Sequence, residues 1–279
     1  DYYASRGLGD VYKRQVPIHS VMGDSHGALF GQGCLQPGKI KATYGTGSSI
    51  MMNIGEKPIL STHGVVTSLA WKIGGHVNYV LEGNLNYTGA VITWLKDDLE
   101  LISSAAETEA LANKAVKEDG LYLVPAFSGL GAPYWDSDAR ATIVGMSRTT
   151  RKAELVRAAL ECIAYQITDV VKAMSEDSKI CIGQLCVDGG PTRNAYLMQF
   201  QSDLLTADVM VPDAEELSAI GPAYAAGLRL GLWDETIFTK LKRTAYKPSM
   251  EDKKRTQKYA GWKEAVKSVL CHNKMAGKD

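Results

Sequence analysis

Three short groups of residues in this chain can support phosphate chemistry. Gly45-Thr46-Gly47-Ser48-Ser49 is a turn whose glycines let backbone N–H groups face a common point, with hydroxyls beside them, an arrangement that suits an anionic phosphate. Taken alone, it also fits an ordinary hairpin turn. Val187-Asp188-Gly189-Gly190 closes an apolar run and precedes a helical pattern, so a ligand can lie against bare backbone at a helix N-terminus. The alternative is a plain strand-to-helix turn. Asp24, directly after Gly23, offers a carboxylate that can accept a proton from a substrate hydroxyl, or that simply caps a helix. No Gly-Lys-Ser/Thr follows the Gly-Thr-Gly turn and no GxGxxG follows a strand, which argues against a Walker loop and a dinucleotide-dependent oxidoreductase. His26, His63 and His76 lack metal-ligand spacing and read as surface or satisfied core residues.

The elements that must position these groups follow from period and punctuation. Residues 16–21 form an apolar run before Gly23-Asp24, predicting a strand-to-helix junction, and 27–33 mix small and apolar residues as a tightly packed helix does. Residues 39–53 read as a hairpin around Gly45-Thr46-Gly47, and 64–81 as another with Gly74-Gly75 at its turn. A helix begins at Ala90 and runs towards Ile102, and 104–117 read as an exposed helix. Residues 121–148 hold a strand, a Gly- and Pro-punctuated loop and another strand. The longest helix is predicted over 151–176, from apolar residues at helical spacing. A strand at 184–187, a helix at 194–205, a strand at 208–211, a small-residue helix at 221–230 and an amphipathic helix at 262–270 complete the pattern. Alternating strands and helices, with hairpins, predict an α/β fold with a mixed sheet and flanking helices.

Composition narrows the partners. The 279 residues are 45% hydrophobic and 22% charged, with 31 Lys plus Arg against 31 Asp plus Glu, so no global field draws the chain to nucleic acid or to an anionic membrane. No apolar stretch reaches membrane-spanning length. The five scattered cysteines lack CxxC spacing and read as reduced thiols of a cytoplasmic protein. Residues 1–15 show no clean pattern and are read as a non-native or linker segment, 16–270 as one domain and 271–279 as a tail. The ligand is expected to be small, and a homo-oligomer is left open.

Taken in order, the motifs resemble the FGGY carbohydrate kinases, and within them the glycerol kinase group. The blocks are Gly23-Asp24 with Ala28-Leu29-Phe30-Gly31-Gln32-Gly33-Cys34, Tyr44-Gly45-Thr46-Gly47, Val124-Pro125-Ala126-Phe127, Gly129-Leu130-Gly131-Ala132-Pro133-Tyr134-Trp135-Asp136, Val187-Asp188-Gly189-Gly190, Leu197-Met198-Gln199-Phe200-Gln201-Ser202-Asp203 and Tyr259-Ala260-Gly261-Trp262. The resemblance implies an actin-like ATPase (ribonuclease H-like) fold of two lobes, of which this chain is the second. It implies ATP and Mg²⁺ as cofactors and phosphorylation of a primary hydroxyl of a small polyol or sugar. By matching positions it implies Asp24 as catalytic base, Gly45, Thr46 and Gly47 as phosphate contacts, and Gly89, Ile92, Gly189, Gly190 and Asn194 as nucleotide contacts. The partner N-terminal lobe, which in this family carries the other phosphate loop, the metal-positioning carboxylate and most substrate contacts, is missing, so the fragment alone is expected to be inactive or nearly so.

Four residues depart from the glycerol kinase pattern. Thr93 stands where that group has Gln, Ser25 where it has a Gln that touches glycerol, and Ser48-Ser49 where it has Cys-Phe, whose aromatic ring covers the carbon backbone of glycerol. Ser25 and Ser49 are therefore the expected substrate contacts beside Asp24, in a wider and more polar pocket that favours a four- or five-carbon polyol or ketose; the alternative is glycerol, with compensating apolar contacts from the first lobe. The competing reading is an actin-fold module that binds ATP for regulation without transferring phosphate.

Overall fold

The computed structural model describes the backbone of residues 7–10, 14–115 and 120–276, and the side chains of 17–115 and 120–270. Its elements in chain order are β1 (Gly7–Asp10), β2 (Arg14–Pro17), α1 (Asp24–Gly31), β3 (Ile40–Tyr44), β4 (Ser48–Gly55), β5 (Val66–Ile73), β6 (His76–Leu85), α2 (Gly89–Thr93), α3 (Glu107–Lys114), β7 (Tyr122–Val124), β8 (Thr142–Val144), α4 (Lys152–Ser178), β9 (Gln184–Asp188), α5 (Ala195–Leu205), β10 (Asp208–Pro212), α6 (Leu217–Leu230), β11 (Arg243–Tyr246) and α7 (Asp252–Ala276). The main sheet has the order β11-β10-β9-β3-β4-β6-β5. β9 runs parallel to both β3 and β10, and the other neighbours are antiparallel, so the sheet is mixed as predicted.

Strand alternation sorts side chains onto the two faces of this sheet. Ile40, Ala42 and Tyr44 of β3, with Ile50 and Met52 of β4, enter the main core built on α4. The intervening residues Lys41, Thr43, Ser49 and Met51 take the opposite face, where Leu29, Cys34, Met51, Ala70, Val80 and Cys186 form a smaller cluster under α1. α1 lies against α6 so closely that a Cβ at Gly221 would stand 1.9 Å from the Gly27 carbonyl oxygen, which explains the small residues expected in both helices.

α4 is anchored from the far end of the chain. The buried carboxylate of Asp169 accepts hydrogen bonds from Tyr134 Oη (2.7 Å), Tyr259 Oη (2.6 Å) and Trp262 Nε1 (2.7 Å), with Lys263 Nζ at 3.5 Å. Trp262 stacks on Tyr165 at 5.2 Å, so α7 and the loop before Asp136 are both pinned to α4.

Several expectations need correcting. Residues 16–21 do not run as a strand into α1: β2 ends at Pro17, pairs only with β1, and is followed by a loop in which Val21 is 84% exposed. β3 already has β4 and β9 on its two sides, so no ladder position beside α1 is open. The helix after Gly89 ends at Asp98, its last turn widened to a π-helix over Trp94–Asp98. The C-terminal helix starts ten residues before Trp262, at Asp252, because its first turns present a charged face that carries little hydrophobic period. It continues to Ala276 through most of the expected tail, and 277–279 lie outside the described residues. Of the segment 1–15, residues 1–6 and 11–13 also lie outside them, while Gly7–Asp10 and Arg14–Pro17 form an antiparallel pair.

Candidate functional site

The Gly45-Thr46-Gly47 turn joins β3 to β4 and is laced to the start of α2. Gly89 N donates to Gly45 O (2.9 Å), and Thr88 N and Ala90 N both donate to Thr46 O (3.0 Å). Thr88 Oγ1 also donates to Gly45 O (3.0 Å) and accepts from Ser48 Oγ (3.1 Å). With both carbonyls turned to α2, the amides of the turn are the groups left for a ligand. The Gly45 amide is an exception to the expectation, because it donates to Gly47 O within the turn (2.8 Å). No hydrogen bond among the described residues occupies the amides of Thr46 and Gly47.

From Gly89 a cleft of about 590 Å³ opens between α2, α3, α4 and the segment after β9, lined by Ile92, Leu160, Ile163 and Leu197 on its apolar side and by Thr93, Lys96, Glu109, Gly190 and Asn194 at its polar positions. Four of the expected nucleotide contacts, Gly89, Ile92, Gly190 and Asn194, thus share one cleft, although they lie on two stretches of chain about a hundred residues apart. Its size and its mixture of apolar wall with few polar groups suit an adenosine.

Gly189 and Gly190 differ in kind. Gly189 has φ 98° and a Cβ there would stand 1.9 Å from Tyr44 O, so the fold itself demands glycine. At Gly190 a Cβ meets nothing within 4 Å. Asn194 caps α5, accepting from Leu197 N (2.9 Å) and donating to Thr108 Oγ1 (3.0 Å), which leaves one amide hydrogen and one lone pair toward the cleft. Thr93 lines the same cleft, its hydroxyl 3.4 Å from Gly89 O.

Asp24 begins α1 but does not cap it. The N-cap is Gly23, and among the described residues the exposed Asp24 carboxylate accepts only from Ser25 N within its own turn, at 2.6 Å. Behind it, on the α1 face of the sheet, lies a polar group the sequence reasoning missed. Lys41 Nζ, fully buried, donates to Thr43 Oγ1 (3.0 Å), Ser49 O (3.2 Å) and Ser49 Oγ (3.3 Å). Burial pulls its ammonium down to about 8, against the opposing charges of Asp188, Glu82, Asp24 and Cys34. Burial likewise raises the Asp188 carboxyl, against hydrogen bonds from Thr43 and Gln32 and the charge of Lys41. Gln32 Nε2 ties α1 to the end of β9, donating to Val187 O (3.1 Å) and Asp188 Oδ2 (3.3 Å). The one signal for Lys41 in the sequence is a lone charge inside an apolar strand, which alternation by itself assigns to solvent.

Among the described residues no group of three His, Cys, Asp or Glu could hold a metal ion, and no helix is long and apolar enough to cross a membrane. His63 pairs with Asp177 and His76 with Glu56, as surface residues do. His26 departs from the expectation, because its Nε2 is buried with no partner. Cys34, Cys162, Cys181 and Cys186 are free thiols.

Residues 40–230 match the FGGY family of carbohydrate kinases, C-terminal domain, and the chain belongs to that family. Glycerol kinase of Petrotoga mobilis is 51% identical over 260 residues, covering 92% of this chain and 52% of that protein. Glycerol kinase of Geobacillus kaustophilus is 46% identical over 275 residues, covering 97% of this chain and 55% of that protein. The chain thus spans about half the length of the curated relatives it matches. Among solved structures, Plasmodium falciparum glycerol kinase with ADP aligns with a TM-score of 0.85 at 36% identity, over 92% of this chain and 52% of that one. A ligand-bound xylulose kinase from Lactobacillus acidophilus shares the fold, with a TM-score of 0.76 at 19% identity, over 91% of this chain and 50% of that one. The mixed sheet with flanking helices is the actin-like ATPase fold of these kinases.

Proposed function

We propose that this chain is the nucleotide-binding lobe of an ATP-dependent kinase that phosphorylates a primary hydroxyl of a small polyol or sugar. The observation that carries this reading is the lacing of the Gly45-Thr46-Gly47 turn to Gly89, which sets an anion-suited turn at the mouth of the 590 Å³ cleft. The domain reading is the same as before: residues 16–270 form the lobe, and a first lobe completes the site. Bound ATP supplies the γ-phosphoryl group. Thr46 and Gly47 amides donate to phosphate oxygens, the apolar wall of Ile92, Leu160 and Ile163 receives the adenine, and Asn194 and Gly190 border it. Mg²⁺ belongs to the nucleotide complex, with its carboxylate supplied by the first lobe.

Phosphoryl transfer asks the protein for positioning and charge neutralisation more than covalent chemistry. Asp24, free of any capping duty, orients the acceptor hydroxyl and takes its proton as that oxygen attacks phosphorus. Ser25, next to Asp24 in the chain, and Ser49 are both half-buried, and both are assigned to the acceptor side. The reduced thiols fit a cytoplasmic location.

The test is a phosphorylation assay of the full-length protein, this chain with its first lobe, against glycerol, tetritols, pentitols and pentuloses. The highest kcat/KM is expected for a four- or five-carbon substrate, and the isolated chain should bind nucleotide without turnover. A best value for glycerol would sink the substrate assignment. ATP binding with no transfer to any alcohol would favour a regulatory module.

A further inference from the structure

Lys41 is a fully buried charge on the α1 face of the sheet. A fully buried ammonium must be repaid by hydrogen bonds and charge, and no carboxylate touches it directly. An ammonium has three N–H donors and no acceptor, and all three are assigned: to Thr43 Oγ1, Ser49 O and Ser49 Oγ. Both hydroxyls therefore act as acceptors towards Lys41, and each must send its own hydrogen elsewhere. The two then part company. Thr43 passes its hydrogen to the Asp188 carboxylate, its neighbour in the β3–β9 register. Ser49, half-exposed at the start of β4, has no further acceptor for its hydrogen among the described residues.

We propose that Lys41 is a positioning residue that holds one lone pair of the Ser49 oxygen and so turns the Ser49 hydrogen away from itself, selecting an acceptor substrate with a hydroxyl or carbonyl oxygen at that point. The inference rests on the kinase reading above and adds a direction to it. A freely rotating serine spreads its hydrogen over several directions, whereas one held by an ammonium keeps its hydrogen and its second lone pair on the side away from the lysine. The oxygen it meets can be a hydroxyl or a ketose carbonyl, and a substrate that offers only C–H there leaves a half-buried donor unpaired. Lys41 touches no substrate and acts through Ser49 alone.

The experiment uses the full-length enzyme and its best alcohol substrate, with kcat, KM, ATP affinity and melting temperature measured for each variant. Ser49→Ala is expected to lower kcat/KM about tenfold, mainly through KM, the loss of one oriented hydrogen bond. Ser49→Thr, which keeps the hydroxyl on a strand, restores most of it. Lys41→Met lowers kcat/KM at least as far with ATP affinity unchanged, and the double variant Lys41→Met/Ser49→Ala is no worse than Lys41→Met, because the lysine acts through the serine. Should Lys41→Met not fold, Lys41→Gln gives the same decision, since its amide oxygen is an acceptor to which Ser49 can turn back.

A purely structural lysine would lower the melting temperature and leave KM of the folded enzyme alone. A folded Lys41 variant or Ser49→Ala within about threefold of wild type, or losses that simply multiply in the double variant, overturns the inference while leaving the kinase reading intact. A wild-type enzyme that phosphorylates no alcohol overturns both.

Discussion

Gly189 and Gly190 are adjacent, yet substitution of each by Val should have opposite consequences. At Gly190 a Cβ meets no protein atom within 4 Å and φ is not positive, so Gly190→Val should cost the fold less than about 1 kcal/mol. For a chain of this length that is a shift of at most about 2–4 °C in Tm. The branched side chain would project into the cleft of about 590 Å³ that Gly190 lines, displacing an adenosine that lies against the backbone. A displaced contact or two at about 1–1.5 kcal/mol each is a tenfold or greater loss of ATP affinity. At Gly189 the backbone has φ 98° and a Cβ would stand 1.9 Å from Tyr44 O. Left-handed strain and the displacement of β3 together should cost about 3–5 kcal/mol, or roughly 6–20 °C. Calorimetric titration with ATP and thermal unfolding of both variants separate the cases. Unchanged ATP affinity in a folded Gly190→Val variant would remove the turn after β9 from the nucleotide site. A Gly189→Val variant that melts with wild type would refute the packing argument.

Asp24→Asn in the full-length enzyme should cut kcat by about 10²–10⁴-fold with ATP affinity little changed, and retention of more than about a tenth of turnover would exclude Asp24 as the base. Asp177 should mark the acid limb of stability. Burial alone would raise its carboxyl, but hydrogen bonds from Ser61, Thr62 and His63 outweigh that and hold it down to about 2. A depressed carboxylate stabilises the fold above its ordinary value of 3.8 and ceases to as pH falls through about 2, so Asp177→Asn should lose on the order of 1–2 kcal/mol at pH 7 and almost nothing at pH 2. Urea unfolding at both pH values checks this, and an equal loss at each would exclude the carboxylate charge as the cause. Asp169→Ala strands the donors of Tyr134, Tyr259 and Trp262 and should cost about 3–5 kcal/mol, visible as a lower urea midpoint. An unmoved midpoint would mean that α7 is not held by that carboxylate.

What the sequence by itself determined was local in origin. Turn chemistry located Gly45-Thr46-Gly47 between β3 and β4, a 3.6-residue period located α4, and the resemblance carried by the ordered motifs named Gly89, Ile92, Gly190 and Asn194, which the structure places around one cleft. The small residues of α1 and α6 announced the close helix contact at Gly27 and Gly221. The tertiary structure decided whatever depended on partners far away in the chain. No local pattern told that β2 would end at Pro17, or that β3 already had β4 and β9 on its two sides. The Gly45 amide turned inward because its own turn offered Gly47 O. Lys41 gave no sequence signal beyond one charge in an apolar strand, since its meaning comes from Thr43 and Ser49, which it touches, from Asp188, which faces Thr43 across β9, and from Gln32, which reaches Asp188 across 156 residues. Periodicity reports which face a side chain takes and turn chemistry reports where the chain reverses. Neither reports what stands opposite, and for a buried charge the groups opposite decide whether it is tolerated and what it does.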